Sequence, residues 1–330
     1  MSARSGKGDT RKRKQGTSVV GAKVSDVSGR LSGRGLPRGG LREKDGLTVA
    51  EGAMPDTAKG EHSPWYSQRK QIKKAVVKEG VTSIGDWAFD GCGKLKAAAL
   101  PEGLERIGAY GFAECGALTE LKIPEGVTEI GDGAFILSGL ESAEIPGSVK
   151  TVGESAFKWC EELRSLTVRE GVEIIGDEAF NGCTLLRYAT IPESVTRIGS
   201  LAFNECESLK KVTLPESLTD IGDLAFYGCE ALADEEHYVI VNGILFDFYG
   251  DGGSVTIPDG VTKIGYQAFE FWEDLTRVTI PTSVTVVGDM AFHACSCLRE
   301  IRYAGTAEQW DAVDIGEDAI PEKVEILFEG

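Results

Sequence analysis

Residues 174–180 read Ile-Ile-Gly-Asp-Glu-Ala-Phe, and variants of this phrase occur nine times in the chain of 330 residues. The nine glycines are Gly85, Gly108, Gly131, Gly153, Gly176, Gly199, Gly222, Gly265 and Gly288. The steps between them are 23, 23, 22, 23, 23, 23, 43 and 23 residues. A fixed period of this length is typical of a solenoid, in which each repeat forms one coil that stacks on the last.

Each repeat combines two short apolar stretches with a compact turn. Leu118, Leu121 and Ile123 have the spacing of a short strand that turns its apolar side chains inward, and a proline ends most of these strands. The Gly-Asp-x-Ala-Phe-x-x-Cys stretch predicts one helical turn with the phenylalanine inside the coil. The pattern therefore predicts an α/β solenoid of short parallel strands and short helical turns. Its inward aromatic column would be Phe89, Phe112, Phe135, Phe157, Phe180, Phe203, Phe226, Phe269 and Phe292.

Charge is unevenly divided along the chain. Residues 1–40 hold ten Lys/Arg and two Asp/Glu, whereas the remaining residues hold 25 Lys/Arg and 50 Asp/Glu, a net charge of −25. Such an acidic body should repel nucleic acid and anionic membranes. No apolar run approaches the roughly 18 residues of a membrane helix, and the basic N-terminus lacks the apolar segment of a signal peptide, so we expect neither in this chain.

Four segments are predicted. Residues 1–45 form a disordered basic arm, because they bury too little apolar area to offset the entropy of ordering. Residues 46–80 form an N-terminal capping segment with a half-repeat, in which Trp65 packs on the open end of the first coil. Residues 81–303 form the solenoid of nine coils, and residues 304–330 form a C-terminal cap.

Two irregularities interrupt the period. The 22-residue step lacks one residue between Ser138 and Leu140. The 43-residue step carries an insert at about residues 233–254, with two apolar runs around Asn242-Gly243. This dipeptide between β-prone runs predicts a β-hairpin that projects from the solenoid with the two residues at its tip. The insert is either a contact site or a tolerated surface loop.

The unit Ile-Pro-x-x-Val-x-x-Ile-Gly-x-x-Ala-Phe-x-x-Cys-x-x-Leu resembles the BspA-type leucine-rich repeats of bacterial surface proteins and some protist proteins. The resemblance covers about 46–330, including the flanks at 45–56, 63–85 and 303–318, with Trp310 as the anchor of the C-terminal cap. The insert resembles a variant coil of that family. The resemblance implies a curved, right-handed leucine-rich-repeat superhelix without catalytic residues. It also implies binding or adhesion to protein or extracellular-matrix partners, often at a cell surface.

The polar and thiol side chains favour structural roles. Seven of the eight cysteines hold one position of the repeat and are interpreted as buried small hydrophobic side chains, with a disulfide framework or a metal ladder as alternatives. His62, His237 and His293 show no catalytic spacing. Five aspartates after the glycine are interpreted as N-caps, with a calcium ladder as the alternative. They are Asp86, Asp132, Asp177, Asp223 and Asp289. We therefore predict no catalytic, cofactor-binding or metal-binding residues.

The outward positions of the stacked strands are the predicted partner-binding surface. Tyrosine and arginine are enriched at energetically important interface positions. The opposing interpretation is that threonine is simply favourable in strands and that nothing binds. The candidates are Glu120, Lys122, Ser142, Ser165, Thr167, Tyr188, Thr190, Lys211, Thr213, Arg277, Thr279 and Arg302.

The favoured function is a non-enzymatic binding or adhesion module. One alternative is a structural or spacer solenoid without a specific ligand. A second is association with nucleic acid or the nucleus through the basic run Arg11–Lys14 of the N-terminal arm.

Overall fold

The computed structural model describes residues 23–26, 46–50, 63 and 65–330. Within this part of the chain, helix is limited to single short turns, namely 3-10 helices at Tyr66–Gln68 and Glu230–Leu232 and the α-helix α1 at Ala307–Trp310. The strands in chain order are β1 Lys23–Asp26, β2 Gly46–Ala50, β3 Lys74–Val77, β4 Ser83–Ile84, β5 Ala97–Ala99, β6 Arg106–Ile107, β7 Glu129–Ile130, β8 Ser142–Ile145, β9 Thr151–Val152, β10 Ser165–Val168, β11 Ile174–Ile175, β12 Tyr188–Thr190, β13 Arg197–Ile198, β14 Lys211–Thr213, β15 Asp220–Ile221, β16 Tyr238–Val241, β17 Ile244–Phe248, β18 Gly253–Thr256, β19 Lys263–Ile264, β20 Leu275–Ile280, β21 Val286–Val287, β22 Glu300–Tyr303, β23 Asp314–Ile315 and β24 Glu325–Phe328.

Most of these strands form two rows along the stack of coils. The first-strand row contains β2, β3, β5, β8, β10, β12, β14, β18, β20, β22 and β24. The second-strand row contains β4, β6, β7, β9, β11, β13, β15, β17, β19, β21 and β23, one for each of eleven coils. Within a row, most neighbouring strands pair in parallel, usually between residues 23 positions apart, so that Tyr188 lies opposite Ser165 on one side and Lys211 on the other. The pairing is interrupted between β5 and β8, β14 and β18, and β15 and β17. The predicted parallel solenoid is confirmed.

The predicted aromatic column fills the interior of the coils. All nine phenylalanine side chains have no exposed surface. From Phe89 to Phe226, consecutive ring centroids lie 4.9–5.6 Å apart with nearly parallel planes. This spacing is close to the roughly 4.8 Å between paired strands, so each ring stacks on the ring of the next coil because the backbone beneath it repeats.

The predicted helical turn after the glycine is wrong. This stretch forms turns in which two residues per coil adopt positive φ, for example 54° at Ser155 and 56° at Trp159. The N–H groups of Ser155, Phe157 and Trp159 donate to carbonyl oxygens of the next coil at 2.7–2.8 Å. A helical turn would direct these donors back into its own segment. The alternation of backbone conformation instead points them along the stack, giving each coil a third hydrogen-bonded side.

The aspartates after the glycine do not cap helices, which corrects the N-cap interpretation. Asp177 Oδ1 accepts a hydrogen bond of 3.0 Å from the backbone N–H of Ser200, one coil further along. Asp86, Asp132 and Asp289 make the same contact with the following coil. Their carboxylates therefore join consecutive coils, whereas Asp223 forms an ion pair with Lys263.

The insert contains the predicted hairpin, but it does not project. Strands β16 and β17 are antiparallel, and the turn residues Asn242 and Gly243 have φ of 51° and 73°. Strand β17 pairs in parallel with β19, and the side chains of Val239, Leu245 and Phe246 are buried. Because both strands carry apolar residues, the segment is packed into the stack as an additional coil.

Residues 304–330, the predicted C-terminal cap, form the eleventh coil. Strands β23 and β24 extend the second-strand and first-strand rows. The segment Ile315-Gly316 holds the place of the repeated phrase, with Ile320 at the position of the phenylalanine. Trp310, the predicted anchor, packs its ring on Tyr303 at a centroid distance of 5.1 Å. The two coils without a recognisable phrase explain why nine were predicted.

At the N-terminal end, Trp65 covers the first coil as expected. Its side chain is buried, its ring lies 5.6 Å from Phe89, and its Nε1 donates to the carbonyl oxygen of Ala88 at 2.7 Å. Strand β2 pairs in parallel with β3, and β1 pairs antiparallel with β2. Strand β1 falls inside the arm predicted to be disordered; the rest of residues 1–45, including Arg11–Lys14, lies outside the described residues.

Replacement of Phe271 tests the positive-φ turns. Its side chain is 67% exposed and its φ is 61°, so little packing is lost on truncation. We expect the free energy of unfolding of Phe271→Gly to be about 1 kcal/mol higher than that of Phe271→Ala, because alanine, unlike glycine, is strained in the left-handed backbone conformation. Chemical denaturation of both variants measures the difference. An alanine variant as stable as the glycine variant would contradict this turn conformation.

Candidate binding surface

The first-strand row exposes alternate residues. In β10, Ser165 and Thr167 are exposed while Leu166 and Val168 are buried, and β8 shows the same alternation. This follows from the two-residue period of a strand that has one face in the core. The predicted partner-binding residues therefore stand on one face of the stack wherever the strands are present.

That face is divided among separate sheets, and the predicted candidates are distributed over them. Glu120 and Lys122 lie outside the named strands, in a segment tied to β5 by one bridge at Ala97. Arg277, Thr279 and Arg302 belong to a separate sheet of β18, β20, β22 and β24. The sheet of β8, β10, β12 and β14, called here the central sheet, carries the rest. These are Ser142, Ser165, Thr167, Tyr188, Thr190, Lys211 and Thr213.

The two breaks coincide with the two irregular steps of the sequence. The first lies between residues 120–123 and β8, across the shortened repeat, and leaves a cleft of about 320 Å³. The second lies between β14 and β18, where the inserted coil provides a hairpin instead of a strand of this row. The irregular steps therefore isolate the central sheet from the strands on both sides.

Ion pairs neutralise several of the predicted cations. Lys122 Nζ lies 3.0 Å from a carboxylate oxygen of Glu102. Arg277 and Arg302 both donate to Glu300, and these hydrogen bonds, with that from Arg302 the stronger influence, hold the pKa of Glu300 below its ordinary value. Both arginines are therefore already engaged, Arg277 by the following coil and Arg302 by a residue of its own strand.

Sequence reasoning missed three basic side chains beside Tyr188. Arg164, Arg187 and Lys210 directly precede β10, β12 and β14. The N–H groups of Arg187 and Lys210 donate to the carbonyl oxygens of Arg164 and Arg187, respectively, at 3.0 Å. Together with Tyr188 and Lys211, the three basic side chains form what we call the basic patch. The sequence signal that could have identified them is a Lys or Arg at the same repeat position in three consecutive coils.

Most cations of the basic patch have no ion-pair partner among the residues that the structure describes. Arg164 makes an exposed contact of 3.2 Å with Glu162. Within the described chain, Arg187, Lys210 and Lys211 have no carboxylate oxygen within ion-pair distance. Tyr188 is 55% exposed among them. An open concavity of about 560 Å³, lined by Arg187, Lys210, Glu207, Ser208, Glu230 and Ala231, adjoins the patch.

The cysteine column is buried, in agreement with its interpretation as small core side chains. The thiol of Cys183 donates to the carbonyl oxygen of Phe157 at 3.3 Å, and five other cysteines make the equivalent contact. Burial raises the pKa of Cys92 to about 12 and those of Cys160 and Cys295 to about 11. All eight thiols are free, and Cys297 alone is exposed.

The two histidines in the described chain do not contact each other. His293 Nδ1 lies 3.1 Å from Glu270 Oε1, its counterpart one coil earlier, and His237 occupies a positive-φ turn before β16. His62 lies outside the described residues. No helix among the described residues has the length and apolar character needed to cross a membrane.

The two rows of parallel strands with a repeat near 23 residues define a solenoid of the leucine-rich-repeat class. The family model described as BspA type Leucine rich repeat region (6 copies) matches residues 63–186, 128–238 and 245–312. Since these matches cover more than half of the chain, it belongs to the BspA-type leucine-rich repeat family.

Solved structures show the same fold. A leucine-rich repeat protein from Bacteroides ovatus is 22% identical, with a TM-score of 0.57 over 87% of this chain and 79% of that one. A leucine-rich repeat protein from Eubacterium ventriosum is 21% identical, with a TM-score of 0.53 over 87% of this chain and 80% of that one. No curated protein matches the chain.

Thiol alkylation tests the burial of the cysteine column. In the native protein at pH 8, iodoacetamide should modify one thiol rapidly, at Cys297, because the thiolate is the reactive form and burial keeps the others protonated. After denaturation, all eight should react. Mass spectrometry counts the adducts, and Cys297→Ser should abolish the rapid phase. Rapid modification of any second thiol in the native protein would contradict this burial.

Proposed function

We propose that the chain is a non-enzymatic binding module that holds a protein or extracellular-matrix partner against the central sheet. The observation that carries this proposal is the exposed ring of Tyr188 opposite Lys211, which has no ion-pair partner in the described chain, on a sheet whose other exposed residues are serine, threonine and Glu144. Tyrosine brings a large contact area at low entropic cost and is enriched where interfaces gain most of their energy.

The rigidity of the central sheet supports this role. Strand β12 is paired on both sides, with β10 and with β14, and the apolar side chains below it belong to the core. Binding therefore needs little ordering of the backbone, which lowers the entropic cost of association. Family membership supports the same class of function, since leucine-rich-repeat solenoids are generally scaffolds.

The size of the sheet sets a limit on its contribution. Four strands at about 4.8 Å separation and about four residues at 3.3 Å each give a projected area of roughly 200 Å². A standard interface buries about 800 Å² on each partner. A partner must therefore also contact the neighbouring turns, among them the column of Arg164, Arg187 and Lys210, or bind only transiently.

Paired substitutions test the central sheet. The protein is immobilised and exposed to a mixture of purified extracellular-matrix and serum proteins, and the retained proteins are quantified by mass spectrometry. Tyr188→Ala with Lys211→Ala should reduce retention of a bound partner at least tenfold, because truncation of one such tyrosine costs about 2 kcal/mol.

The matched control is Arg277→Ala with Arg302→Ala, which changes two residues of the separate sheet that already share Glu300. Its retention should equal that of the unmodified protein. If no protein is specifically retained, or if the first pair changes nothing, the chain is better explained as a spacer.

A further inference from the structure

We infer that the basic patch docks an acidic, extended segment of a protein partner; this inference rests on the function proposed above and specifies its partner. The patch combines three cations that have no ion-pair partner in the described chain, one weakly paired arginine and an exposed tyrosine, on a body whose net charge is strongly negative. Charge complementarity therefore selects a negatively charged occupant for this part of the surface.

The geometry of the patch fits an extended chain. Its cations come from three consecutive coils, since Arg187 follows Arg164 and Lys210 follows Arg187 in one hydrogen-bonded column. Three coils at about 4.8 Å separation place these backbone positions across about 10 Å. Three or four residues of an extended peptide cover the same length at about 3.3 Å per residue. Lys211 lies opposite Tyr188 in the paired strand, and the exposed ring offers an apolar contact next to this cation position.

The stacking of like charges also favours an acidic occupant. Arg164, Arg187 and Lys210 are neighbours along the stack, and like charges on adjacent strands destabilise each other. Elsewhere in the stack, such cations form ion pairs with a carboxylate of the next coil, as Arg197 does with Asp220 and Lys150 with Glu173. In the basic patch that counter-charge is missing within the described chain, and an external carboxylate supplies it.

The surroundings favour a short acidic peptide over a nucleic acid. Glu207 and Glu230 line the concavity next to the cations, so a ligand with continuous negative charge meets repulsion as soon as it leaves the patch. A single nucleic-acid strand carries one phosphate per about 3.4 Å and cannot avoid this. A peptide can place two or three carboxylates on the cations and neutral residues elsewhere.

Fluorescence anisotropy tests the inference with a labelled octapeptide of alternating glutamate and threonine. The controls are the same peptide with glutamine in place of glutamate, and a labelled eight-nucleotide thymidine strand. We expect the acidic peptide to bind, the glutamine peptide to bind at least tenfold more weakly, and affinity to fall with added salt. We expect changes of this size because each exposed ion pair raises the binding affinity severalfold, and added salt screens it.

Variants locate the site. Arg187→Gln, Lys210→Gln and Lys211→Gln together should weaken the acidic peptide about tenfold. The matched control replaces three other exposed lysines, Lys94, Lys96 and Lys323, by glutamine. It changes the net charge equally and should leave affinity within twofold. Thermal melting of both triple variants confirms that each remains folded.

Each contrary outcome overturns the inference. Equal binding by the two triple variants, equal binding of the glutamine peptide, tighter binding of the thymidine strand, or no binding of the acidic peptide at millimolar concentration would each do so. Tyr188→Ala separates the two proposals. If a matrix or serum partner is lost with Tyr188→Ala but kept by the basic-patch triple variant, the central sheet binds a partner that is not acidic.

Discussion

Hydrogen bonding between consecutive coils is the constraint on which the rest of the structure depends. Each coil offers backbone groups on three sides, through the two strand rows and through the turn residues with positive φ. Those turn residues carry a conformational cost of about 1–2 kcal/mol each when they are not glycine, and the hydrogen bonds to the next coil offset it. Once the backbone repeats in this way, identical side chains must form columns, which explains the phenylalanine, cysteine and aspartate ladders together.

The period of the phrase was sufficient to predict the strands and the buried aromatic column, because both depend only on residues recurring at 23. The turns were harder to predict. Ser155 and Trp159 adopt a backbone conformation that favours glycine, so neither residue type signals it. In the next coil, Asp177 directly precedes the equivalent residue Glu178 and resembles a helix cap. The inserted coil and the last coil lack the phrase, and Ile320 replaces phenylalanine in the latter; packing alone identifies them as coils.

The sequence indicated which face of the strands is exposed, but not how far the exposed surface extends. The apolar–polar alternation in β10 and β12 correctly predicted that Thr167, Tyr188 and Thr190 are exposed. The pairing of Arg277 with Glu300 could have been anticipated, since the two residues are 23 positions apart and so lie side by side. The breaks on either side of the central sheet depend on how the irregular coils pack against the regular ones. This packing decides whether neighbouring backbone groups come within hydrogen-bond distance, which cannot be read from the residue types.

Every repeat, including the insert, adds one coil of constant rise to the stack. Thr128, Thr219 and Thr285 hold equivalent positions, each donating its hydroxyl to the coil before it. Spin labels attached at these sites, in a Cys297→Ser background, allow electron–electron distance measurement. With about 4.8 Å per coil, the backbone separations expected are about 19 Å from Thr128 to Thr219 and about 34 Å from Thr128 to Thr285. Distances in the ratio of four coils to seven would support the account, whereas similar distances for the two pairs, or a second distance that omits the inserted coil, would contradict it.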